Sequence, residues 1–112
     1  MTFNDIKWSP SEKKVARSAF DVALQAALAE IMAELKRRAS AATTPSDMWE
    51  IEDYLQRQRR KIDQMFDYRY SQLILVFASL IREGYLEQSR LAGLSEDKLE
   101  MIRSFLAYHA RA

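Results

Sequence analysis

The chain has 112 residues, 48% of them hydrophobic and 29% charged, which fits one domain able to bury a core and stay in water. Its 17 basic and 16 acidic residues leave a net charge of +1, so no global field draws it to nucleic acid or lipid. The absence of cysteine excludes disulfides and thiolate metal sites, and two glycines and two prolines are too few to punctuate a strand-rich fold, so a helical one is expected.

Ser9-Pro10-Ser11-Glu12 puts a hydroxyl at an N-cap, proline at the first helical position and a carboxylate at the third, a reciprocal capping box that opens the first helix. Apolar residues then recur at Phe20, Leu24, Leu28, Ile31 and Leu35, the spacing of one helical face. Beside them Ala16, Ala19, Ala23 and Ala27 form a small-residue row that lets another backbone come close. Lys36, Arg37 and Arg38 complement the carbonyl end of the helix dipole. From Pro10 to Ala39 such a helix is about 45 Å long. A compact globule of this chain length has a radius of gyration of only about 13 Å. An apolar stripe that outruns its own core needs a second chain, so a two-fold homodimer is expected.

Ser40 to Thr44 reads as a polar connector, and Thr44-Pro45-Ser46-Asp47 repeats the cap to open a second helix with Met48, Ile51, Leu55, Ile62 and Met65 on its buried side. Its acids (Asp47, Glu50, Glu52, Asp53) precede its bases (Arg57, Arg59, Arg60, Lys61), as the helix dipole favours. A break is expected near Asp63 to Asp67 and a third helix from about Tyr68 to Glu83. There Leu73, Ile74, Leu75, Val76, Phe77, Leu80 and Ile81 leave few solvated sides, the mark of a head centre. Gly84 is a left-handed stop, Leu86 to Leu91 a short helical turn, and Ser95 the cap of a last helix with Leu99, Ile102, Phe105 and Leu106 inward. The expected architecture is all-α and homodimeric: one helical domain over 1–112, with a long stem over about 9–65 and a small head over about 66–110.

The longest apolar run, Leu73 to Ile81, falls well short of the roughly 20 residues that cross a bilayer, and MTFNDIKWSPSEKK has no apolar h-region. No membrane insertion is expected, and the cytoplasm is the expected location. The single histidine, His109, lies three residues from the end, and neither HExxH nor a glycine-rich phosphate loop occurs. Carboxylate pairs at Asp63 and Asp67, or Glu50 and Asp53, lack further ligands for a hard cation. No catalysis, cofactor or metal is expected.

Two constellations remain. Arg57 to Lys61, followed by Tyr68 and Tyr70, has the parts for phosphate contact and base stacking, although acids a turn away offset the charge. Phe66, Tyr68 and Tyr70 read as head packing more than as a ligand cage. Trp49 and Asp53, four apart, share a helix face with Glu52 beside them. They read either as a boundary tryptophan packed on the first helix with Asp53 paired to a base, or as an interface anchor, since Trp and Arg dominate interface hot spots.

Longer blocks carry a resemblance. W-x-x-x-D-x-L at Trp49, Asp53 and Leu55, R-x-x-I-D from Arg59 to Asp63, and D-Y-R-Y-S-x-L-x-x-V-F from Asp67 to Phe77 follow NDIKWSPSEKKVARSAF and precede LAGLSEDKL. In order and spacing they resemble the fluorescence recovery protein family of cyanobacterial photoprotection, over nearly the whole chain. The resemblance implies an all-helical homodimer with a stem and a head, acting without bond chemistry. It implies binding to the photoactivated orange carotenoid protein, chiefly its C-terminal domain, detachment from the phycobilisome and faster return to the resting orange form. It places the functional cluster on Trp49, Asp53 and Arg59, the first two holding the dimer surface and Arg59 contacting the partner. Glu52 stands where the family commonly has His, Leu75 where relatives often carry Phe at a likely partner contact, and DQMF replaces a link that often contains Gly. Relatives also occur in bacteria without phycobilisomes, so a helical dimer with another protein partner is the alternative, and a nucleic-acid-binding dimer using Arg57 to Lys61 the second.

Overall fold

Both capping boxes close. In the computed structural model, which describes residues 6–111 and side chains no further than Tyr108, Ser9 Oγ accepts the Glu12 N–H at 3.1 Å while Glu12 Oε1 accepts the Ser9 N–H at 3.0 Å. The helix they start, α1 (Pro10–Ala41), runs unbroken for 32 residues. At the second box Thr44 Oγ1 accepts the Asp47 N–H at 3.2 Å, and Asp47 Oδ2 accepts the N–H groups of Thr43 and Thr44 at 2.9 and 3.1 Å. It opens α2 (Pro45–Met65), which folds back along α1 as an antiparallel hairpin. The chain continues through α3 (Leu73–Arg82), a 3-10 turn (Gln88–Leu91) and α4 (Glu96–Arg111). Ser95 accepts the Lys98 N–H at 3.4 Å, the cap expected there, and the His109 side chain lies outside the described residues.

The core sits at one end. Leu73, Ile74, Phe77 and Leu80 of α3 are fully buried and share one apolar cluster with Leu86, Leu91, Leu94 and Ile102. The near half of α1 joins it through Ala16, Ala19, Phe20 and Ala23. Ala16, Ala19, Ala23 and Ala27 are each at most 1% exposed, so the small-residue row is the inward face of α1. The larger residues expected to form that face sit beside it: Leu24, Ile31 and Leu35 are half-buried, and Leu28 is 41% exposed. Methyl side chains let the head approach the α1 backbone, which displaces the leucines to the flank.

Helix α3 begins at Leu73 rather than at Tyr68. Residues 66–72 run outside a regular helix because their aromatics are spent on α1 and on Trp8 just before it. Phe66 and Tyr68 meet the Phe20 ring edge-on, with centroids at 5.3 and 4.9 Å, Tyr70 lies 5.7 Å from Trp8, and the Arg17 guanidinium covers Tyr68 at 4.6 Å. Phe66 and Tyr68 pack against the head core, as expected, whereas Tyr70 leans on Trp8 and stays 36% exposed. Burial, with the Tyr70 hydroxyl's hydrogen bond adding to it, pushes the Tyr68 phenol up to about 12. At the other end of α3, Gly84 takes φ +83° while its N–H reaches Ile81 O at 3.0 Å and that of Tyr85 reaches Leu80 O at 3.0 Å, the paired bonds of a Schellman stop.

Gly93 serves a different need. A Cβ there would lie 2.6 Å from Cγ2 of Val15, so the link into α4 rests directly on α1. Valine is stiff at χ1 and cannot swing aside. Gly93→Ala is expected to cost about 1–3 kcal/mol as overpacking, read as a lower denaturation midpoint. An unchanged midpoint would mean that the link lifts off α1 freely.

The stem overshoots. The molecule measures 53 × 31 × 23 Å with a radius of gyration of 16.9 Å, against about 13 Å for a compact globule of this length. Between residues 28 and 58 only Tyr54 is buried. Met48, expected on the inward side of α2, is instead 54% exposed, because the core ends before reaching it.

Candidate functional site

Helix α2 is fixed to α1 by a residue that its apolar pattern alone does not mark. Tyr54 is 8% exposed and lies under the Arg38 guanidinium, 4.1 Å from its ring centroid. Arg38 Nε donates to Glu34 Oε1 at 2.9 Å, and Arg37 Nε to Glu34 Oε2 at 3.0 Å. These two guanidiniums hold the half-buried Glu34 carboxyl down at about 2. Burial raises the Tyr54 phenol, with the Glu34 charge adding to it. The only sequence cue to Tyr54 is its place three residues after Ile51, on the same inward side.

Anchoring Tyr54 inward settles which face of α2 looks out. At about 100° per residue, Trp49, Glu52, Asp53, Gln56, Arg59 and Arg60 fall within a sector about 120° wide, opposite Tyr54. All six are exposed. Trp49 is 59% exposed, with Met48 next to it. Four of the residues expected to form the site, Trp49, Glu52, Asp53 and Arg59, are thus brought onto one open face. The fifth, Leu75, is elsewhere: it is the outward residue of α3 in the head, 37% exposed.

The charges on this face are unspent. Glu52 accepts a hydrogen bond from Gln56 Nε2 at 3.3 Å, whereas among the described residues Asp53, Arg57, Arg59 and Arg60 form no ion pair. Lys61, on the side toward the head, lies 3.8 Å from Glu83. A tryptophan ringed by unpaired charges of both signs is suited to gripping a complementary surface. The described residues include no cluster that could hold a metal ion and no helix long and apolar enough to cross a membrane.

A second polar feature ties the two ends of the chain together. Glu12, already used in its capping box, also accepts the Ser95 N–H at 2.9 Å and the Lys98 ammonium at 3.0 Å. Lys98 Nζ further donates to Lys7 O at 2.7 Å and rests 5.0 Å from the Trp8 ring centroid. Glu12 is 8% and Lys98 5% exposed. Burial would raise the Glu12 carboxyl, but the N–H groups of Ser9 and Ser95 and the Lys98 ammonium outweigh it and hold it at about 2. The cap box announces Glu12, but nothing in the sequence pairs it with a lysine 86 residues away.

The family model for the photoprotection regulator fluorescence recovery protein matches residues 8–106. The fluorescence recovery protein of Synechocystis sp. PCC 6803 is 35% identical over 97 residues, covering 87% of this chain and 89% of that protein. The structure of the Fremyella diplosiphon fluorescence recovery protein superposes with a TM-score of 0.85 at 35% identity, covering 91% of this chain and 99% of that one. That of the Synechocystis protein gives the same TM-score, identity and coverage. The open face of α2 lies inside the matched region. On sequence and on fold alike, the chain belongs to the fluorescence recovery protein family of photoprotection regulators.

Proposed function

We propose that this chain works as a homodimer that binds the photoactivated orange carotenoid protein, chiefly at that protein's C-terminal domain, detaches it from the phycobilisome and speeds its return to the resting orange form. The observation that carries the reading is the open face of α2, where Trp49, Glu52, Asp53 and Arg59 stand clear of a core that ends at the head. In this reading the cytoplasm is the site of action, Trp49 and Asp53 hold the second copy, and Arg59 and the outward Leu75 of the head meet the partner.

The mechanism needs no bond chemistry. A binder biases a two-state partner only through unequal affinity for the states along its path. Tighter binding at the barrier than to the activated form would accelerate recovery, and weak binding to the resting form would then release the regulator for another cycle. Substoichiometric action follows from that release.

The test is the dark recovery of photoactivated orange carotenoid protein, followed by absorbance with and without this chain. Faster red-to-orange return at less than one chain per partner is the expected result. No acceleration by a well-folded dimer would remove this partner and leave a helical dimer with a different one. A nucleic-acid role through Arg57 to Lys61 would instead show as oligonucleotide binding that falls steeply with salt.

A further inference from the structure

Without cysteine, the oxidisable sulfur of this chain lies wholly in its five methionines. They are not placed alike. Met65 and Met101 are half-buried against the core cluster, and Met1 lies outside the described residues. Met32 on α1 is 56% exposed and Met48 on α2 is 54% exposed. Met32 follows the exposed Leu28 by one helical turn, and Met48 adjoins the exposed Trp49. Both sit in the stretch between residues 28 and 58, where only Tyr54 is buried, and on the homodimer reading that open stretch is what a second copy would cover.

We propose that Met32 and Met48 are a modification site for peroxide, and that their oxidation to sulfoxides releases the dimer. The inference rests on the homodimer reading. In each step a thioether sulfur attacks one oxygen of hydrogen peroxide, an S–O bond forms and the O–O bond breaks. Sulfur loses two electrons to give the sulfoxide, and the second oxygen leaves as water. The product replaces a soft apolar side chain with a strong hydrogen-bond acceptor, which must shed water whenever a second copy packs on it. Two sites per chain and two-fold symmetry put four such acceptors in one interface.

The coupling runs both ways. If the second copy covers these sulfurs, assembly must protect them, and oxidation must oppose assembly to the same degree. Oxidation then proceeds through the free protomer, faster in dilute protein. Met101, packed in the head, serves as an internal reference whose rate does not depend on concentration.

The experiment is mild hydrogen peroxide treatment of the full chain at several protein concentrations, with peptide mass mapping and sedimentation. Met32 and Met48 are expected to oxidise before Met65 and Met101 in dilute protein and to slow as concentration rises. The doubly oxidised chain is expected to associate at least about tenfold more weakly. Methionine sulfoxide reductase should restore association. The double variant Met32→Leu with Met48→Leu, a near volume-conserving change, should dimerise normally and keep doing so in peroxide. A dimer that survives full oxidation of both residues, or oxidation led by Met65 or Met101, overturns the switch alone. An untreated chain that sediments as a monomer at every concentration overturns the dimer reading and the switch with it.

Discussion

Replacing Lys98 with methionine is expected to remove about 3–5 kcal/mol of stability at neutral pH. Domains of this size hold about 5–15 kcal/mol in total, so the variant should melt more than about 10 °C below the parent. The size of the effect comes from what is left behind. Glu12 stays buried and ionised, still accepting the N–H groups of Ser9 and Ser95, with no cation to neutralise it. The same change frees the Lys7 carbonyl and strips the cation from the Trp8 ring, so the segment before α1 loses its tie to α4. Adding Glu12→Gln should recover part of the loss, because a neutral amide tolerates burial that a lone carboxylate does not. Equal stability of the parent and Lys98→Met in chemical denaturation would show that the pair is bystander packing.

The pair also fixes how the head answers to acid. Glu12 lies at about 2 in the fold against an ordinary value of 4.5, so the unfolded chain takes up this proton first as pH falls. The stabilisation is complete above pH 4.5 and drains away down to about pH 2, to a total of roughly 2–3 kcal/mol. Other carboxyls titrate in the same window, since Glu34, Asp47 and Asp67 are lowered too. The difference between the parent and Glu12→Gln isolates the latch. That difference should be largest near neutrality and shrink toward pH 2, and a constant difference would assign the loss to packing.

Much of this structure could be read from local chemistry. Ser9 with Glu12, Thr44 with Asp47 and Gly84 each carry their instruction within four residues, and each forms the cap or stop its sequence implies. What failed to read correctly depends on partners far along the chain. The leucine stripe of α1 looked like its inward face, yet an alanine row buries better when the buried face of α3 can settle onto it. Nothing local bars residues 68–72 from a helix, but Tyr68 on Phe20 and Tyr70 on Trp8, with Phe66 just before them also on Phe20, hold the segment out of one. The same division holds at the site. Trp49, Glu52, Asp53 and Arg59 share a face by helical arithmetic alone, whereas the outward sense of that face is set by Tyr54 under Arg38, a contact between two helices.

Trp49→Ala is expected to weaken self-association by about a thousandfold while leaving the protomer's own stability nearly unchanged. The two halves of that result follow from separate observations. At 59% exposure and outside the apolar cluster, Trp49 does little for the isolated fold, so its removal opens no internal cavity. A tryptophan anchor on an interface is commonly worth 2 kcal/mol or more, about thirtyfold at the least, and two-fold symmetry counts the loss twice. Arg59→Leu should divide the functions the other way, sparing the dimer but reducing acceleration of carotenoid-protein recovery by about tenfold. On α2 it lies about 80° around the helix from Trp49 and about 15 Å along it. Without an ion pair of its own, its charge is free for an incoming acidic group, and leucine keeps the bulk while deleting the charge. Sedimentation of both variants beside the recovery assay separates the roles. If Trp49→Ala stays dimeric, the tryptophan belongs to the partner and the stem must pair through Leu28 and Met32. If Arg59→Leu accelerates recovery as well as the parent, the charged contact has to be sought at Arg57 or Arg60, exposed neighbours in the same basic run.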